Sequence, residues 1–87
     1  MSKNRPALYV RNYCGFCYRV MRVVGQLKVD VDVRNIWADS AHREALQSAT
    51  GRGTVPVLRY TNDEGDEVWL PESRDIIAFL NQEYGST

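Results

Sequence analysis

Apolar residues along this chain recur sometimes at every second position and sometimes at every third or fourth, and the changes of period divide it into seven predicted elements. Ala7-Leu8-Tyr9-Val10 is a short, partly β-branched apolar run that stops at Arg11-Asn12, the pattern of a buried strand. Cys17, Val20, Met21, Val24 and Leu27 follow at helical spacing while Arg19, Arg22 and Gln26 fall on other faces, which predicts a helix over about residues 14–28 with one apolar stripe. Gly25 inside it costs up to about 1 kcal/mol relative to alanine, and either weakens the last turn or marks the close approach of another backbone. Val29, Val31, Val33 and Ile36 alternate or nearly alternate with Asp30, Asp32 and Arg34, predicting a second strand with one apolar face and Trp37 at its end.

Asp39 or Ser40 suits the cap of a second helix, on which Ala41, Ala45, Leu46 and Ala49 make a weak apolar stripe ending near Gly51. Gly51-Arg52-Gly53 breaks that pattern, and residues 54–60 begin another strand. Pro56 has no N–H to give to a ladder, so it belongs at the strand's start or on an exposed edge. Residues 61–66 are a polar turn and Val68-Trp69-Leu70 returns, which predicts an antiparallel hairpin. Pro71-Glu72-Ser73 marks the start of a last helix, with Ile76, Ile77, Leu80 and Tyr84 on its buried side and Gly85 near its end. Tyr9, Trp69, Phe79 and Tyr84 read as core or core-edge aromatics. The order β-α-β-α-β-β-α, with its first two strands parallel about a right-handed crossover and the hairpin added to the same sheet, is a thioredoxin-like α/β fold: a four-stranded mixed sheet with three helices. No repeat or linker interrupts it, so residues 1–87 are expected to form a single domain.

Composition narrows the function. At 87 residues, 44% hydrophobic and 25% charged, the chain has the make-up of an ordinary water-soluble globule. Eleven basic residues balance eleven acidic ones, without the basic surplus that nucleic-acid binding normally requires. Met1-Ser2-Lys3-Asn4-Arg5-Pro6 lacks the apolar core of a secretory signal, and no run reaches transmembrane length, so no membrane association and a reducing, cytoplasmic setting are expected.

Both cysteines lie three residues apart, in Tyr13-Cys14-Gly15-Phe16-Cys17. Random placement would give that separation in roughly 2 of 100 such chains. In a reducing setting the pair reads as catalytic or metal-binding rather than as a structural disulfide. Cys17 opens the apolar stripe and is expected to point at the core. Cys14 falls at or before the first helical turn, where free N–H groups and the helix dipole favour a thiolate. Such placement lowers a thiol pKa by roughly 1 to 5 units. One exposed attacking sulfur backed by one sheltered sulfur suits thiol–disulfide exchange. A zinc site is the weaker reading, since two cysteines and His42, the sole histidine, fall short of four ligands.

These residues resemble the glutaredoxin family over nearly the full length. Arg11-Asn12-Tyr13-Cys14-Gly15-Phe16-Cys17 looks like its active-site segment, and Thr50-Gly51-Arg52-Gly53-Thr54-Val55-Pro56 is similar to its second signature. The resemblance implies a cis peptide before Pro56, beside the cysteines, with the backbone of Val55 pairing to the cysteinyl unit of glutathione. Thr54 and Tyr13 fall in the same two segments. Phe16, between the cysteines, is expected to be exposed and available to a protein substrate. The resemblance also implies that Arg11 and Arg43 meet the glycine carboxylate; the plain alternative is that both are solvated charges.

Two departures from the family pattern stand out. Gly15 occupies the place where glutaredoxins usually have proline, or glycine with the second cysteine replaced by serine, and leaves open a [2Fe–2S] cluster shared by the Cys14 thiolates of two chains and two glutathiones. Leu70-Pro71-Glu72-Ser73-Arg74-Asp75-Ile76 looks more like the amino-terminal domain of glutathione transferases, in which a Glu-Ser pair holds the γ-glutamyl end. A helix start offers N–H groups to that carboxylate and Glu72 an anion to its ammonium; a simple helix terminus is the alternative for Glu72 and Ser73.

The leading expectation is a glutathione-dependent thiol–disulfide oxidoreductase that uses Cys14 and Cys17, takes glutathione as co-substrate, acts on glutathionylated or disulfide-bonded proteins, and is a monomer unless cluster-bound. A glutathione-ligated cluster carrier and a transferase-like glutathione-binding module are the alternatives. Trp37 either lines the groove or seals a strand end.

Overall fold

A computed structural model describes residues 5–85. Residues 1–4, part of the stretch read above for a leader, lie outside the described residues. The elements are β1 (Ala7–Val10), α1 (Gly15–Leu27), β2 (Asp32–Asn35), α2 (Ser40–Thr50), β3 (Val57–Thr61), β4 (Glu67–Pro71) and α3 (Ser73–Tyr84). The four strands make one sheet in the order β2-β1-β3-β4, with β1 parallel to β2 and antiparallel to β3, and with β3 and β4 as a hairpin. This is the thioredoxin-like arrangement that the hydrophobic periods predict. Among the described residues no helix is long and apolar enough to cross a membrane.

Alternation along the central strands divides the core between two faces. Leu8, Val10 and Leu58 point to the side where α1 supplies Cys17, Val20 and Val24 and α3 supplies Ile76 and Leu80. Ala7, Tyr9 and Val57 point to the other side, where α2 contributes Leu46. Both cysteines therefore sit at the carboxyl end of β1, on the α1 and α3 side of the sheet. Asp39 caps α2 by accepting the Ala41 N–H at 2.9 Å, and Gly51 ends it in the left-handed region at φ 74°.

Several expectations need correction. The second strand is shorter than predicted, and Val33 is 45% exposed rather than part of an apolar face. β2 is a sheet edge, and Val33, which shares the Leu8 side by register, belongs to neither apolar cluster. Its polar neighbours face the better-packed side: Arg34 donates to Asp32 at 2.9 Å and to the hydroxyl of fully buried Tyr9 at 2.8 Å. The stripe on α2 reduces to Leu46, because Ala41, Ala45 and Ala49 are exposed on a helix that meets the core along one narrow row. Tyr84, expected on the buried side of α3, lies in its last turn past the apolar cluster and is exposed. β3 begins at Val57, after Pro56, while β4 extends to Glu67 and Pro71. Gly25 faces open space, so its neighbourhood involves no close backbone approach.

Candidate functional site

The chain leaves β1 through a bend fixed by side chains. Tyr13 adopts φ 58°, and Cys14 then takes an extended conformation as the N-cap of α1. Its sulfur accepts the Cys17 N–H at 3.2 Å and its carbonyl accepts the Tyr18 N–H at 3.1 Å, which satisfies two donors of the first turn. A second tie comes from the end of β2. Asn35 donates to Asn12 Oδ1 at 2.6 Å, and its own Oδ1 accepts the N–H groups of Trp37 and Ala38. Arg11 donates to the carbonyls of Asn12 and Tyr13 and lies 5.4 Å over the Trp37 ring, which stands 6.2 Å from Tyr13. Trp37 thus packs on the outside of the cysteine turn. Asn12 and Asn35 went unnoticed in the sequence, where two isolated asparagines carry no signal of a partnership across 23 residues.

Burial treats the two sulfurs alike: Cys14 is 4% exposed and Cys17 2%. Cys17 is inward as expected. Cys14 is not the exposed sulfur the sequence predicts, because the left-handed bend at Tyr13 turns it back onto the apolar cluster that also holds Cys17, Val20 and Ile76. Exposure falls instead on its neighbours, with Tyr13 at 81% and Phe16 at 61%. Electrostatics separate the sulfurs. The Cys17 thiol is pushed up to about 12, first by burial and then by its hydrogen bond with Cys14, while the backbone and charge of Arg11 act weakly in the opposite direction. Cys17 is therefore a neutral thiol at physiological pH, beside a Cys14 sulfur that accepts hydrogen bonds.

A cavity of about 440 Å³ opens beside this turn, between the end of α2, the β3–β4 hairpin and the start of α3. Phe16, Thr54, Val55, Pro56, Glu72 and Ser73, all expected at the site, line it together. The Val55–Pro56 peptide is cis, and Val55 packs against both apolar clusters, joining the cavity to the cysteines. Glu72 precedes α3 at φ 73°, makes no side-chain cap and leaves its carboxylate free to face a ligand. The remaining expected residues lie elsewhere: Cys14 and Cys17 beneath the turn, Arg11 and Tyr13 on its outer side, and Arg43 exposed on α2. Arg52, Thr50 and Trp69 line the cavity without having been singled out. For Arg52 a signal existed, since it sits inside the quoted segment that ends at Pro56. Trp69 required the register that places it against Tyr9, with ring centroids 5.3 Å apart.

Among the described residues no group of three or more His, Cys, Asp or Glu side chains could hold a metal ion, and His42 lies instead 3.8 Å from Asp39.

With this geometry in hand, the chain was compared with known proteins. The glutaredoxin family model matches residues 7–64. Glutaredoxin 2 of Escherichia coli is 25% identical over 75 residues, which are 86% of this chain and 32% of that protein. A trimeric glutathione transferase from Leishmania superposes with a TM-score of 0.73 at 28% identity, covering 91% of this chain and 18% of its own. A glutathione transferase homologue from Drosophila mojavensis, solved with bound glutathione, gives 0.74 at 21% identity over 94% and 36% of the two chains. Glutaredoxin 2 of Salmonella typhimurium, in complex with glutathione, gives 0.68 at 24% identity over 90% and 33%. The chain thus spans a third or less of the curated relative's length.

Proposed function

The chain belongs to the glutaredoxin family, and on that premise we propose that it is a glutathione-dependent thiol–disulfide oxidoreductase whose attacking sulfur is Cys14. One observation carries the assignment: two sulfurs of equal burial are made unequal, Cys17 being held as a thiol while Cys14 caps the helix and accepts the Cys17 N–H. A thiolate at Cys14 attacks a glutathionylated protein at the glutathionyl sulfur, forming a Cys14–glutathione disulfide and releasing the protein thiolate. A second glutathione thiolate then attacks that disulfide, regenerating the Cys14 thiolate and leaving oxidised glutathione. With a protein disulfide, Cys17 loses its proton and attacks Cys14 instead, releasing the reduced protein and leaving a Cys14–Cys17 disulfide for two glutathiones to reduce. Because Cys14 lies under its own turn, this reading requires Tyr13 and Phe16, the exposed residues flanking it, to yield as substrate docks.

The cavity supports the co-substrate. Glutathione is an extended zwitterion, and the γ-glutamyl ammonium and carboxylate would meet Glu72 and the N–H groups and hydroxyl at the Ser73 helix start. Val55, at the junction of cavity and cysteines, would carry the cysteinyl unit. A [2Fe–2S] cluster shared between chains fits poorly: its ligand sulfur must face outward, whereas Cys14 is packed in the core cluster.

The test is glutathione-coupled reduction of a glutathionyl mixed disulfide. Cys14→Ser should abolish turnover and Cys17→Ser should keep it; retained turnover in Cys14→Ser refutes the assignment. A second reading, a transferase-like glutathione-binding module, is favoured by a cavity that neither cysteine lines. It requires a wild-type chain that binds glutathione yet never turns over.

A further inference from the structure

The cavity beside the cysteine turn carries two charges of opposite sign. Among the described residues that line it, Glu72 is the anion and Arg52 the cation, whereas Arg11 and Arg43 line no part of it. Arg11 is already committed to two backbone carbonyls and to the face of Trp37. Arg52 has its backbone pinned while its guanidinium is unpaired: Thr50 Oγ1 accepts the Arg52 N–H at 3.2 Å and hydrogen-bonds to the Leu46 and Arg52 carbonyls at 2.8 and 3.0 Å. The left-handed Gly51 at the end of α2 turns the chain so that Thr50 and Arg52 both reach the cavity wall. A fixed backbone carrying a free, forked cation is suited to a carboxylate, which a guanidinium holds through two parallel hydrogen bonds.

We infer that Arg52 reads the carboxyl-terminal carboxylate of the peptide ligand, so that the site selects γ-glutamyl thiols with a free terminal carboxylate over those esterified or amidated there. The inference rests on the glutathione reading above and deepens it. With Glu72 and Ser73 at the start of α3 engaging the γ-glutamyl end and Val55 the middle, the loop from Thr50 to Thr54 is the cavity wall left for the other end, and Arg52 is its charge. A carboxylate removed from water by this wall loses more when its partner is deleted than one facing open solvent.

Calorimetric titration of the full chain decides the matter, with a Cys14→Ser background suppressing disulfide chemistry. The probes are glutathione and its glycine ethyl ester. Arg52→Ala should weaken glutathione about tenfold and leave the ester unchanged, so that the two ligands bind the variant alike. Arg52→Lys, which keeps the charge without the fork, should recover part of the loss. Arg22→Ala, which removes the same charge from the exposed side of α1, should change neither affinity. Equal glutathione affinity in wild type and Arg52→Ala, or equal losses for both ligands, overturns the inference while leaving the glutathione reading in place. The same holds if Arg11→Ala or Arg43→Ala carries the ester-specific loss instead. No binding of either ligand to the Cys14→Ser protein overturns both.

Discussion

Cys14→Ser leaves Cys17 as the sole thiol and so exposes its properties to direct measurement. Burial is the first cause of its raised pKa and persists in the variant, whereas the interactions with the Cys14 sulfur, which also raise it, are weakened. Moving from 9.0 to about 12 reduces the thiolate at pH 7 from roughly one part in 100 to roughly one part in 100,000 in the wild type, a difference of about 4 kcal/mol. A more basic thiolate is intrinsically more nucleophilic, which returns roughly twentyfold, so the net reactivity should be roughly fiftyfold below a free thiol before steric cover is counted. At 2% exposure that cover slows it further. The assay is iodoacetamide alkylation of Cys14→Ser followed across pH by mass spectrometry, with unfolded protein as the free-thiol reference. Cys17 should resist until strongly alkaline pH, while in the wild type Cys14 takes the label first. Stability gives a second reading with a definite sign. Between pH 9 and about 12 the folded chain retains a proton that the unfolded chain has lost, so stability falls as pH rises through this window, by up to about 1.4 kcal/mol per unit, and Cys17 contributes no slope below it. Cys17→Ala should remove that component of the alkaline slope. Alkylation of Cys17 at the free-thiol rate near neutral pH would sink the division of labour between the two sulfurs.

Two further outcomes test how the site is positioned. Gly15→Pro should be tolerated and should raise stability by up to about 1 kcal/mol in urea unfolding, because position 15 opens α1, the preceding Cys14 is extended, and a side chain there meets open space; a lower midpoint would show that the helix entry is not as described. Leu46→Ala removes the buried anchor of α2 and should cost about 2–5 kcal/mol. Since α2 leads into the Thr50–Arg52 wall, it should also weaken glutathione in the calorimetric titration, and a variant with unchanged stability would show that α2 is held by other means.

The fold was legible because its central strands and two of its helices obey simple periods: Ala7–Val10 is continuous and apolar, and Cys17, Val20 and Val24 mark the face of α1 that meets the sheet. The failures came where burial depends on what lies opposite. Val33 alternates correctly but stands on an uncovered edge, and Ala45 and Ala49 have helical spacing but no surface to reach. Tyr84 runs past the end of its partner surface.

By itself the sequence determined the order of elements, the cysteine pair at a helix start, the turn before Pro56 and the polar opening of the last helix, because each depends on residues close together in the chain. Only the tertiary structure decided that Cys14 is packed inward, that Cys17 holds its proton, and that Arg52 rather than Arg11 or Arg43 lines the cavity with Glu72. Those outcomes depend on desolvation and on the direction of side chains across distant segments, and local spacing carries information about neither.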